Sequence, residues 1–225
     1  MIFGFDTTGF LAKGIIMAGL AACPGAPRNI DVDVQFEHAE APYVQNLTSQ
    51  QLTNDFEYDP DSTIATEKGL WEVAGMNQSR FKWLYKLDYQ DFTDKKTGNR
   101  CFAPKKITFN LTYENTIYIA SDSVQKGCRY SVTKAHEQRH VDMDLRVSRQ
   151  YLPKIKQAMS RGANGIRYLV YNKDTAKESV DAFLAPIQAA VDPLLEQMKR
   201  ERRAKQASID TPEMYRRDTA LCPGQ

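Results

Sequence analysis

The chain is poor in histidine, tryptophan, cysteine and net charge. Three histidines, two tryptophans and four cysteines occur among its 225 residues, and 30 basic side chains nearly cancel 28 acidic ones, for a net charge of +2. A protein that grips a phosphate backbone concentrates positive charge, so this balance argues against nucleic-acid binding. No apolar run approaches the roughly 20 residues that a bilayer-spanning helix needs, and no internal repeat or low-complexity tract is visible. What is present is apolar surface: 42% hydrophobic and 10% aromatic residues. That is enough to bury a sizeable core, and it excludes a long disordered chain.

The first residues read as an export signal. Lys13 precedes a short apolar run over residues 14–22, which ends in Leu20-Ala21-Ala22-Cys23. The run fits a signal-peptide core, and Leu-Ala-Ala-Cys resembles the lipobox of bacterial lipoproteins. That resemblance implies a lipidated Cys23 as the first mature residue, anchored to membrane, with signal peptide and lipobox together spanning residues 1–23. The leader departs from the usual pattern: it contains Asp6, and Lys13 is its only basic side chain. Ordinary cleavage with secretion, and a buried apolar segment with a free Cys23, are the other readings. Residues 24–30 hold two prolines and a glycine and read as a tether. Cys101 and Cys128 bracket a strand-rich stretch and can pair in an oxidising envelope. Cys101–Cys222 and Cys128–Cys222 bridges stay open.

Residues 31–225 read as one α+β domain. Within 31–120, period-two alternation marks strands at Asp31–Phe36, at Phe81–Tyr89 and at Ile107–Tyr113. Turn chemistry lies at 94–99, a short helix is placed within 60–78, and antiparallel hairpins are the natural arrangement. Residues 131–208 read as helical. One helix, capped by Ser131 or Thr133, carries an apolar stripe through Val132, His136, His140, Met143, Val147, Tyr151, Ile155 and Met159. Pro153 is expected to kink or split it. A second helix over about 175–206 carries Val180, Leu184, Ile187, Val191, Leu194 and Met198, with Pro186 and Pro193 segmenting it. Residues 161–174 join the two as a long-helix hairpin. The basic run over residues 199–205 reads as a solvated helix end that complements the dipole.

The stripe carries the chemistry. His136 and His140 sit one helical turn apart on one face, where two imidazoles can bind one Zn²⁺. Glu137 points beside them. Zinc makes a water molecule more acidic, and an adjacent carboxylate takes its proton and passes it to a leaving amine. This is the H-E-x-x-H arrangement of metallopeptidases, with a peptide or protein as substrate. An extended peptide would add to the edge of the preceding sheet. A catalytic zinc needs a third protein ligand. If the helices form a hairpin, Glu201 continues the second stripe and Glu196 is level with the site. Glu178 would suit a site completed from the next helix. Asp142 and Asp144 read as exposed helix carboxylates.

Residues 128–144, CRYSVTKAHEQRHVDMD, resemble a bacterial family of exported proteins described as secreted zinc-dependent proteases of unknown function. Members place a cysteine and a short segment before an H-E-x-x-H helix and a long helical region after it. The resemblance implies a zincin-like fold and roles for His136, Glu137 and His140. The family closes its domain with Asp-x-x-Thr-x-His-Gly. Here residues 210–216 read Asp-Thr-Pro-Glu-Met-Tyr-Arg: Asp210 matches, while Glu213, Tyr215 and Arg216 replace Thr, His and Gly. The resemblance makes Asp210 a candidate third ligand, and Tyr215 a hydrogen-bond donor to a developing oxyanion or a packing residue. The expectation is a zinc metallopeptidase of the bacterial envelope, periplasmic, surface-bound or secreted. Two rivals are a non-catalytic envelope lipoprotein with a structural or vestigial metal site, and a zinc hydrolase of non-peptide amides using Cys128 as a ligand.

Overall fold

The computed structural model describes residues 29–55, 73–93, 100–124, 127–164, 169–171 and 176–222. The leader, Cys23 and most of the tether lie outside the described residues, as do the turn read at 94–99 and most of the helix read at 60–78. From Gly75 onward that last segment is strand.

In chain order the elements are β1 (Asp31–His38), β2 (Tyr43–Val44), α1 (Ser49–Asp55), β3 (Gly75–Thr93), β4 (Arg100–Ile119), α2 (Ser121–Val124), α3 (Cys128–Ala163), β5 (Leu169–Tyr171), α4 (Ala176–Ala207) and α5 (Pro212–Ala220). The fold is α+β, as expected. β4 is the hub of a five-stranded sheet and pairs with each of the other four strands. The expectation of antiparallel hairpins needs correction, because the sheet is mixed. β2 runs parallel to β4, with Tyr43 opposite Ile117 and Val44 opposite Tyr118. β5 runs antiparallel to it, with Cys101 opposite Val170. A parallel neighbour needs a long crossover connection, and the chain between β2 and β4 is long enough to supply one. Along β3 and β4 the contacts descend as the chain ascends. Asn77 meets Asn115, Phe81 meets Tyr113, Tyr85 meets Phe109 and Tyr89 meets Phe102.

The chain forms two compact units, and β3, β4, α3 and α4 each contribute to both. One comprises Met1–Gln35, Lys82–Leu111 and Lys154–Pro193. Its buried side chains include Phe102, Ile107, Phe109, Phe183 and Ile187. Gly162 lets two backbones approach there: a Cβ at this position would lie 2.9 Å from Ile187 Cα. The other unit comprises Phe36–Phe81, Thr112–Pro153 and Leu194–Gln225. Ala41, Tyr113, Ile117, Ile119 and Val141 form its core, with Phe36, Tyr43, Phe81, Tyr130 and Leu145 packed around them. Of the described residues singled out for chemistry, all but Glu178 and Cys101 belong to this second unit.

The helices differ from expectation at their starts and at their prolines. α3 begins at Cys128, after Gly127 at φ 22°. Ser131 therefore does not cap the helix. It lies inside the first turn, where its hydroxyl donates to Gly127 O at 3.2 Å. α3 and α4 run unbroken through Pro153, Pro186 and Pro193. All three prolines are exposed, while buried neighbours such as Tyr151, Ile155, Ile187 and Val191 hold the helix. Among the described residues no helix is long and apolar enough to cross a membrane.

Candidate metal centre

The α3 stripe buries His136, Glu137 and His140, each less than a tenth exposed. The chain returns to them after α4, where Asp210 lies just before α5. Thr211 caps α5 by accepting from Met214 N–H, and Pro212 occupies its first turn, so the tight stop and restart set the position of Asp210. Among the described residues, one group of acid, histidine or cysteine side chains is arranged to hold a metal: His136, His140 and Asp210. His136 Nε2 and His140 Nε2 each lie 3.0 Å from Asp210 Oδ1 and 3.2 Å from one another. These atoms form a nearly equilateral triangle. Ligand atoms bound to one tetrahedral zinc at its usual bond lengths stand about 3.3 Å apart, so the donor set and its spacing fit zinc. Asp210 is a quarter exposed, which leaves the group one flank towards solvent.

The other ring nitrogen of each histidine is also occupied. His136 Nδ1 lies 3.1 Å from Asp218 Oδ2 on α5 and 2.9 Å from Arg139 Nη2. Asp218 is itself buried and bonded by Arg139. His140 Nδ1 meets Gln206 Oε1. Such partners orient a metal-binding imidazole. Tyr215 stacks on His136, with centroids 4.9 Å apart, and donates its hydroxyl to Asp210 Oδ1 at 3.0 Å. Tyr215 thus packs against one member of the group and bonds another.

Burial and neighbouring charges shift the pKa values of this group in opposite directions. Burial works to lower the pKa of His140, but the hydrogen bond and charge of Asp210, with Glu137 and Gln206, lift it to about 9. His136 is raised too: burial opposes, and Asp210, Glu137 and Asp218 prevail. Asp210 is held well below the usual carboxylate range, since bonds to both histidines outweigh its burial. Burial pushes Glu137 up to about 6, against the pull of the histidine charges and of Asn77 N–H on β3. A carboxyl poised near neutrality suits proton transfer. Glu137 owes its room to Gly75, where a Cβ would lie 2.5 Å from Thr133 Cγ2 and 2.9 Å from Glu137 Oε1.

The alternative third ligands are engaged elsewhere. Glu201 accepts from Tyr151 Oη at 2.8 Å and pairs with Lys205, and Glu196 pairs with Lys199. Glu178 is exposed in the first turn of α4. The expected Cys101–Cys128 bridge is corrected. Cys128 is bonded to Cys222, 94 residues on, because α5 returns the chain to the start of α3. That also removes Cys128 as a metal ligand. Asp144 is not an exposed helix carboxylate: it is 0% exposed. Asp142 is exposed as expected, and accepts from Gln138 at 3.0 Å. Asp218, Arg139, Gln206 and Arg202 were missed as well. Two signals pointed to some of them. Asp144 repeats the four-residue step from His136 and His140, and Arg202 and Gln206 repeat it from Met198. No spacing rule pointed to Asp218.

Comparison with protein families, with curated proteins and with solved structures finds no match to this chain.

Proposed function

We propose that the protein is a zinc-dependent metallopeptidase of the bacterial envelope, with His136, His140 and Asp210 as metal ligands and Glu137 as general base. The observation that carries this reading is the triangle of two Nε2 atoms and one Oδ1, with Glu137 buried beside it in the H-E-x-x-H order. A bound zinc ion would supply Lewis acidity towards water and a carbonyl oxygen. Glu137 takes the proton from the attacking water and returns it to the leaving nitrogen. Asp218 and Gln206 hold the rings, and Tyr215 holds Asp210. Contacts of His140 with Gln206 and of Tyr151 with Glu201 support reading α3 and α4 as an antiparallel hairpin in this unit. The Cys128–Cys222 disulfide supports an oxidising compartment. The lipobox resemblance supports a lipid anchor at Cys23, with secretion as the alternative.

A second reading, a non-catalytic envelope protein with a structural metal, draws on the depth of the site, since Glu137 is only 4% exposed. Zinc content per chain separates the outcomes when measured beside His140→Ala and Glu137→Ala. About one zinc in the native protein and in Glu137→Ala, and little in His140→Ala, is expected. Peptide cleavage that disappears in zinc-loaded Glu137→Ala marks the enzyme, and its absence from the native protein favours the structural reading. No zinc above background in the native protein, even with zinc added, sinks both.

A further inference from the structure

Behind His140 lies a buried polar chain that no metal chemistry has yet used. Arg202 on α4 donates to Asp144 through two parallel bonds, Nε to Oδ1 at 2.8 Å and Nη2 to Oδ2 at 2.7 Å. Its guanidinium is backed by the Phe81 ring at 3.9 Å, and Nη2 also reaches Ser79 Oγ at 3.0 Å. Asp144 Oδ1 accepts from Gln206 Nε2 at 2.6 Å. The same Nε2 donates to His140 O at 3.0 Å. Gln206 Oε1 faces His140 Nδ1.

The direction of every bond in this chain is forced. An arginine only donates, so both Asp144 oxygens are committed as acceptors. The two groups around one end of the Gln206 amide, Asp144 Oδ1 and a backbone carbonyl, can only accept. That end is therefore the NH₂, and the amide cannot be flipped without setting acceptor against acceptor twice. The opposite end is then the carbonyl oxygen, and His140 Nδ1 must bring the proton to it. In the neutral ring that proton on Nδ1 leaves the lone pair on Nε2, the atom that faces His136 and Asp210.

We propose that Arg202, Asp144 and Gln206 are positioning residues that fix His140 as the Nδ1–H tautomer and so present its Nε2 lone pair to the metal. The chain acts on the ligand, not on substrate. Its purpose rests on the zinc reading above, but its hydrogen-bond polarity does not. The arrangement also accounts for a carboxylate with no exposure at all so near two metal ligands. Asp144 Oδ1 is turned to Gln206 and both its oxygens to Arg202, so it steers the site without joining it. A buried charge pair of this kind is costly to desolvate and is weak evidence of stabilisation by itself, which makes a directional role the better account of it.

The test has two arms on the full chain. In the first, ¹⁵N resonances of the imidazoles are recorded for the zinc-loaded protein. With three histidines in the chain, each ring is assigned by comparison with its alanine variant. Nδ1–H with Nε2 unprotonated at His140 is expected, and Nε2–H overturns the proposal. In the second, zinc affinity is measured by competition with a chromophoric chelator in Gln206→Leu and Asp144→Asn, with Asp142→Asn, an exposed carboxylate of the same helix outside the chain, as control. Loss of an outer partner typically weakens metal binding about 10- to 100-fold. That loss is expected in the first two, with native far-UV circular dichroism, and no change is expected in Asp142→Asn. Native affinity in folded Gln206→Leu and Asp144→Asn overturns the proposal. If those variants do not fold, the ¹⁵N arm decides alone. If the native protein binds no zinc, the metallopeptidase reading fails and the tautomer is read in metal-free protein under conditions where the ¹⁵N shifts show a neutral His140 ring. There Nδ1–H still upholds the chain, and Nε2–H still refutes it.

Discussion

Replacing both Cys128 and Cys222 with alanine tests how the third ligand is held. The bridge closes a loop of 94 residues. In the chain-entropy account such a crosslink removes about 2.1 + 1.5R ln 94, or roughly 15.6 cal/mol/K, from the unfolded ensemble, which is about 4.6 kcal/mol at 25 °C. Domains of this size are stable by about 5–15 kcal/mol in total, so a large share of the margin is at stake. With a urea slope near 2 kcal/mol/M, the midpoint should fall by about 2 M. The effect reaches the site as well. Cys222 lies four residues beyond Asp218 and follows Tyr215 and Asp210, so the bridge ties the segment that brings three site residues to the helix bearing the histidines. Zinc affinity of the folded double variant should therefore fall along with its stability. Urea unfolding of the chelated protein and chelator competition of the folded protein read the two effects separately. A midpoint shift below about 0.5 M together with native zinc affinity would refute the argument.

Gly75→Ala should keep zinc near native content but depress peptide cleavage, because the new Cβ displaces Glu137 and Thr133; full activity at native zinc content contradicts the placement of the base. Gly162→Ala should cost about 1–3 kcal/mol by overpacking against the Ile187 backbone, read as a lowered urea midpoint with unchanged zinc affinity. The metal-free protein should lose thermal stability from pH 4.5 to 9. Glu137, raised from 4.5 to about 6, contributes stability below 4.5 that is lost through pH 6. His140, raised from 6.5 to about 9, contributes stability below 6.5 that is lost through pH 9. Melting curves in chelator at stepped pH check this, and a melting temperature that rises between pH 7 and 9 contradicts it. With zinc bound the alkaline fall at His140 should vanish, since the metal takes the neutral ring.

The sequence by itself determined the helical stripe that buries His136 and His140, because residues four apart on a helix share a face wherever the helix packs. Period-two alternation likewise marked segments of β1, β3 and β4. Tertiary structure decided what those elements meet. Strand direction depends on how long connections cross, so the parallel pairing of β2 with β4 was not written in any local pattern. Pro153, Pro186 and Pro193 break helices in isolation, but here each faces water while neighbouring side chains hold the turn. The Asp144 carboxylate has the local signature of a solvated helix face and becomes buried only because Arg202 arrives from a segment 58 residues away. Cys128 found Cys222, and His136 found Asp218, for one reason: the short helix after Asp210 folds back on the start of α3. Contacts across 94 and 82 residues are set by packing free energy summed over the whole unit, and no spacing rule along the chain encodes them.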